Sequence, residues 1–135
     1  MKKEMLDLIN NLELNEGAAI ETINDVQTLI QVTLPEDYVE FLTYSNGAKG
    51  FLGNSYLFLW AIEQIPTMNT GYKVSEFAPS LILFGTDMGG EAYAFDKSNE
   101  ELMIVNVPFI GMGIDEPKPF GRSFLDFLSQ IFKQE

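Results

Sequence analysis

The chain contains no cysteine and no histidine. The first absence removes disulfides and thiol nucleophiles, the second removes imidazole bases, and together they remove zinc sites built on the usual nitrogen and sulfur ligands. Acid–base chemistry would fall to carboxylates, lysine or tyrosine, and a serine nucleophile would lack its commonest partner. Long hydrophobic runs are missing too. The longest unbroken one, around Leu57 to Ile62, is far too short to cross a bilayer. The amino-terminal stretch "MKKEMLDLINNLELNEG" has two lysines, yet Glu4, Asp7 and Glu13 interrupt any apolar core that a secretion signal needs. A soluble, cytoplasmic protein is expected, with no membrane contact.

Basic residues are scarce, 8 against 20 acidic ones, for a formal charge of −12. Such a field repels phosphate backbones and anionic membranes and attracts basic partners, so direct nucleic-acid binding is not expected. Excess carboxylate also simply keeps a protein in solution. What the chain does have is core material. Its 135 residues are 46% hydrophobic and include 11 Phe, enough for one domain spanning 1–135, with neither a linker nor a repeat nor a low-complexity segment.

Helical grammar comes first. In "AIETINDVQTLIQ", residues 19 to 31, Ile20, Ile23, Val26 and Ile30 recur at three- and four-residue steps, as on an amphipathic helix. Residues 2 to 12 show the same spacing in Met5, Leu8, Ile9 and Leu12 and predict a further, loosely docked helix. In "LPEDYVEFLTYSNG", residues 34 to 47, Pro35 suits the first helical turn and Glu36 and Asp37 the positive end of the helix dipole. Leu34, Tyr38, Phe41 and Leu42 form the buried stripe, and Asn46 with Gly47 offers the left-handed backbone that closes a helix.

After Gly50 short apolar runs follow, "GFLG", "SYLFLWAI", "SLILFG", "EAYAFD" and "ELMIVNVP", and these read as strands. In "YLFLW", Tyr56, Phe58 and Trp60 share one face and Leu57 and Leu59 the other. Residues 62 to 79 read as short helical turns and loop, and "DKSNE", residues 96 to 100, as a hairpin turn. "SFLDFLSQIFK" closes the chain as a helix capped by Ser123, with Phe124, Leu128 and Ile131 on one stripe. The expected fold is α+β: an antiparallel sheet of about five strands with the N-terminal helices and the C-terminal helix packed on one face.

The stretch richest in polar groups is "GTDMGGEAYAFD", residues 85 to 96. Asp87, Glu91 and Asp96 do not make a metal site, because an extended strand puts Asp96 about 17 Å beyond Glu91, and two carboxylates fall short of the oxygens a calcium ion takes. As a glycosidase-type pair, Asp87 and Glu91 would need desolvation that a hairpin tip does not give. The turn reading is simpler. Asp87 caps through its own side chain, Gly89 and Gly90 supply positive φ, and Tyr93 and Phe95 fill one face of the next strand. "NGAKG" and "GMGIDE" are too incomplete for phosphate loops. No cofactor is expected.

The segment 106 to 121 is long and unusually apolar for a loop. Phe109, Ile110, Met112 and Ile114 lie beside Asp115 and Glu116, a mixture that marks partner sites or a flap folded over the sheet. The partner-binding residues expected on these grounds are Asp87, Glu91, Phe109, Met112, Ile114, Asp115 and Glu116.

The order "LPEDYVEFLTYSNG", "LFLWAIEQI", "LILFGTDMGGEAYAFD", "SFLDFL" resembles the SUKH superfamily, in its Smi/Knr branch named for a yeast cell-wall assembly regulator, from about Ala19 to Phe132. The resemblance implies an α+β fold. It also implies the role of an immunity protein, a non-enzymatic module that binds and neutralises a basic, nuclease-type toxin domain. A scaffold of the cell-wall-regulator type is the alternative, and a carboxylate hydrolase a third reading. The motif positions Leu34, Pro35, Tyr38, Phe41, Leu42, Asn46, Gly47, Gly85, Asp87, Gly90, Tyr93 and Asp96 carry over as structural, with no catalytic group among them.

Overall fold

In the computed structural model, which describes residues 1–98 and 100–134, every strand pairs antiparallel with its neighbour in sequence. The order is β1 (Glu13–Leu14), β2 (Ala48–Leu52), β3 (Ser55–Leu59), β4 (Leu81–Thr86), β5 (Glu91–Asp96), β6 (Ile104–Pro108) and β7 (Lys118–Gly121). Five of these are the expected runs. The two additional strands are short edges. β1 is a two-residue bridge to β2, and β7 forms from the end of the segment taken above as loop, pairing with β6. Its Lys-Pro-Phe-Gly carries no strand pattern, and Pro119 is tolerated because an edge strand need not donate on its open side. Of the expected turn at 96–100, Asn99 lies outside the described residues, while the Asp96 carboxylate accepts a hydrogen bond from the Ser98 N–H at 2.9 Å.

Alternation along the strands builds two cores. Ile82, Phe84, Tyr93, Phe95 and Ile104 face the main one, and Leu81, Leu83, Ala92, Ala94, Val105 and Val107 face the other. Helices α1 (Lys3–Ile9), α2 (Ile20–Ile30), α3 (Glu36–Tyr44) and α6 (Phe124–Lys133) contribute to the main core, as expected for the terminal helices. The first helix is firmly docked, with Met5 and Ile9 buried. The second face is covered in part by the short helices α4 (Gln64–Gly71) and α5 (Val74–Phe77), through Met68 and Val74.

Side-chain hydrogen bonds lock these pieces in register. Ser123 accepts from the Asp126 N–H at 3.0 Å and caps α6, while the Asp37 carboxylate accepts from the Leu125 N–H at 2.9 Å and ties α3 to that helix start. After α3, Gly47 takes the left-handed backbone (φ 85°). Asn46 does not, because its side chain is committed elsewhere: Oδ1 accepts from the Ile62 N–H at 2.8 Å and Nδ2 donates to Glu63 at 2.6 Å. A Cβ on Gly47 would lie 2.6 Å from the Leu59 carbonyl, and one on Gly85 2.8 Å from that of Phe58, so both glycines serve close strand approach. β3 pairs with β4 at only two positions. Where β3 departs, Asn69 of α4 takes its place, donating to the Leu83 carbonyl at 2.9 Å and accepting from the Leu83 N–H at 2.8 Å.

The Tyr38 ring lies at the centre of the main core, 5.0 Å from Phe95 and 5.1 Å from Phe124, and its buried hydroxyl has no hydrogen-bond partner. An enclosed unpaired polar group costs about 1–3 kcal/mol. Tyr38→Phe is therefore expected to leave folding free energy unchanged or raise it by about 1 kcal/mol in urea unfolding, and a loss of that size would contradict the account. Burial also holds the Tyr38 pKa far above the ordinary tyrosine value. Folded Tyr38 stays protonated where the unfolded chain ionises, so its contribution is present below about pH 10 and is lost above it. Tyr38→Phe should flatten the fall in stability between about pH 9 and 11.

Candidate functional site

The turn between β4 and β5 is closed by its own side chains. The Thr86 hydroxyl donates to the Glu91 carbonyl at 2.7 Å and accepts from the Met88 N–H at 3.0 Å. Asp87 Oδ1 accepts from the N–H groups of Gly89 at 2.7 Å and Glu91 at 3.0 Å. Positive φ falls on Met88 (61°) and Gly90 (103°) and not on Gly89 as expected. With Asp87 pinning the Gly89 N–H, the left-handed steps come on either side of that residue. Glu91 shares a strand face with Tyr93 and accepts from the Asn106 amide at 2.6 Å. Burial first, and then the charges of Asp87 and Glu91, push the Tyr93 pKa well above its ordinary value. Asp96 stands at the far end of β5, away from both.

On the second face bulky side chains border an open space. Phe58 and Trp60 form one wall of a cleft of about 370 Å³, Met68 of α4 and Tyr72 just after it another, and Phe109 with Met88 of the turn closes it. Trp60 is held by its backbone N–H, which donates to the Phe84 carbonyl at 3.1 Å, and is 4% exposed. Tyr72 lies against Phe109, with ring centroids 4.5 Å apart. A second groove of about 290 Å³ lies between Phe77 and the residues Ile114, Asp115 and Glu116.

The expected partner-binding residues therefore separate. Phe109 is half-buried and lines the cleft. Met112 is buried in the second core, where it anchors its loop. Ile114, with Asp115 and Glu116, is exposed on the second groove, and Ile110 protrudes, 93% exposed. Asp87 and Glu91 border neither space; Thr86, Met88 and Gly90 of the same turn line the cleft. Trp60, Met68, Tyr72 and Met88 escaped the sequence reading. The signal available for them was a lone tryptophan in a strand-like run and a methionine inside a glycine turn.

The family model described as the SMI1 / KNR4 family (SUKH-1) matches residues 17–130, which takes in α2, α3, the strands from β2 onward and most of α6, and leaves out α1. No curated protein matches the chain. No helix among the described residues is long and apolar enough to cross a membrane.

The turn chemistry sets an expectation for Asp87. Asp87→Ala strands two backbone N–H groups and should lower stability by about 1 kcal/mol, whereas Asp87→Asn keeps an acceptor in place and should cost less than half of that. Equal losses in thermal unfolding would mean that the charge matters and the cap does not.

Proposed function

We infer from one premise, that the chain belongs to the SMI1 / KNR4 family (SUKH-1), that this protein is a non-enzymatic immunity module. It binds and neutralises one cognate toxin domain, basic and nuclease-like, in the cytoplasm. The observation that carries the reading beyond the family is the charge of −12. A toxin that cleaves nucleic acid is basic where it grips phosphate, so an acidic inhibitor occupies that face, and electrostatic steering speeds its capture. Exposed apolar side chains support the same reading, since Ile110, Ile114 and Met88 stand in solvent, the kind of group that a partner's interface covers. Asp87 and Glu91 are engaged in turn and strand hydrogen bonds, which disfavours the carboxylate-hydrolase alternative.

Affinity capture from source cells, at low and at high salt, tests this. A single basic partner is expected, held at low salt and weakened at high salt. Expressed alone in a test host, that partner should stop growth, and co-expression of this chain should restore it. Recovery only of wall-synthesis or signalling proteins, or growth arrest that co-expression does not relieve, would overturn the immunity reading.

A further inference from the structure

The cleft at Trp60 has features of a site built for an occupant. Two sides are apolar, from Phe58, Met68, Tyr72, Met88 and Phe109, and no charged residue lines it. Beside the Tyr72 hydroxyl and Thr86, whose hydroxyl is spent within its own turn, two polar groups break that surface. The Gln64 side-chain carbonyl is used internally, accepting from the Ala61 N–H at 3.0 Å, so its amide N–H groups remain for a ligand. The Trp60 indole N–H meets no acceptor among the described residues. The residue is 4% exposed and lines the cleft. A donor with so little access to water gains from an acceptor that an occupant brings.

We propose that the Trp60 cleft receives one apolar anchor side chain of a cationic protein partner, whose backbone carbonyl completes the Trp60 and Gln64 donors. The volume, about 370 Å³, suits an aromatic or large aliphatic side chain together with its flanking backbone. Donors without acceptors select a carbonyl-bearing occupant and disfavour a hydrocarbon. The cationic character follows from charge complementarity with the whole chain, which carries −12, while no charged residue lines the cleft itself. Lys49 places one positive charge 6.0 Å from the Phe58 ring centre, which the excess acidity outweighs at the range over which a partner is steered. Anchor residues seated in such pockets dominate the energetics of interfaces. The proposal deepens the immunity reading and rests on it for the identity of the partner, but the cleft is testable alone.

The chain's single tryptophan gives one indole N–H resonance, which reports on the cleft directly. The probe is the peptide acetyl-Lys-Phe-Lys-amide, titrated into the labelled protein and followed by heteronuclear NMR. A saturable shift of the Trp60 indole and Gln64 amide signals is expected. Acetyl-Lys-Ala-Lys-amide, which lacks the anchor, should bind about ten-fold more weakly, and acetyl-Glu-Phe-Glu-amide more weakly as well. Tyr72→Ala and Met88→Lys, both at exposed positions, should abolish the shift while leaving the remaining spectrum in place. An indole signal that does not move, or that moves equally with the alanine peptide, overturns the proposal. The two readings part cleanly in the growth assay. If both variants still neutralise the captured toxin fully, the anchor assignment falls and immunity stands. If the cleft binds the peptide but no toxin is neutralised, immunity falls and the cleft stands.

Discussion

Successive residues of a strand face opposite ways, and in β4 and β5 this sends Phe84, Tyr93 and Phe95 to one side of the sheet and Leu83, Ala92 and Ala94 to the other. The asymmetry of size decides the rest. The large rings meet Tyr38 of α3 and Phe124 and Phe127 of α6 and bring these two helices onto one face. Each such ring buries on the order of 150–250 Å², so that face is where most apolar surface leaves water. On the other face the cover is short helices and a loop. The cleft at Trp60 is a consequence of that thin cover.

Polar side chains hold the thin side in place. Asn69 substitutes for a strand along β4 through two hydrogen bonds to Leu83, so α4 is fixed at the point where β3 leaves the sheet. Asn46 similarly binds the start of that helix region at Ile62 and Glu63. On the far side of the cleft, the Phe109 N–H donates to the Gly90 carbonyl at 3.0 Å, joining the loop to the β4–β5 turn. The cleft walls are thus set by backbone-directed bonds, which prepare a binding surface at little entropic cost on association.

Electrostatics works at longer range and with less geometric detail. With 20 acidic residues against 8 basic ones, most carboxylates have no counter-ion within the chain. The one ion pair among the described residues joins the Met1 amino group to Glu40 at 3.4 Å, an exposed arrangement of small energetic weight. The acidity therefore contributes little to holding the fold and much to what approaches it.

Periodicity and punctuation by themselves determined the element types: the helices around Ile23, Tyr38 and Phe124, the five central strands, and the Asp87 turn, because these depend on neighbours three, four or two residues away. The motif order also carried the family. Three things depended on tertiary structure. The edge strands β1 and β7 exist only because β2 and β6 offer them ladder partners. Met112 looked like Ile110 and Ile114 in the sequence, yet it turned inward while they remained in solvent, since only the packed sheet has a gap at its position. The Trp60 cleft draws on β3, α4, the β4–β5 turn and the loop after β6, segments up to fifty residues apart in the chain. No local pattern encodes that meeting, which arises when hydrogen bonds at Leu83 and Gly90 bring the walls together.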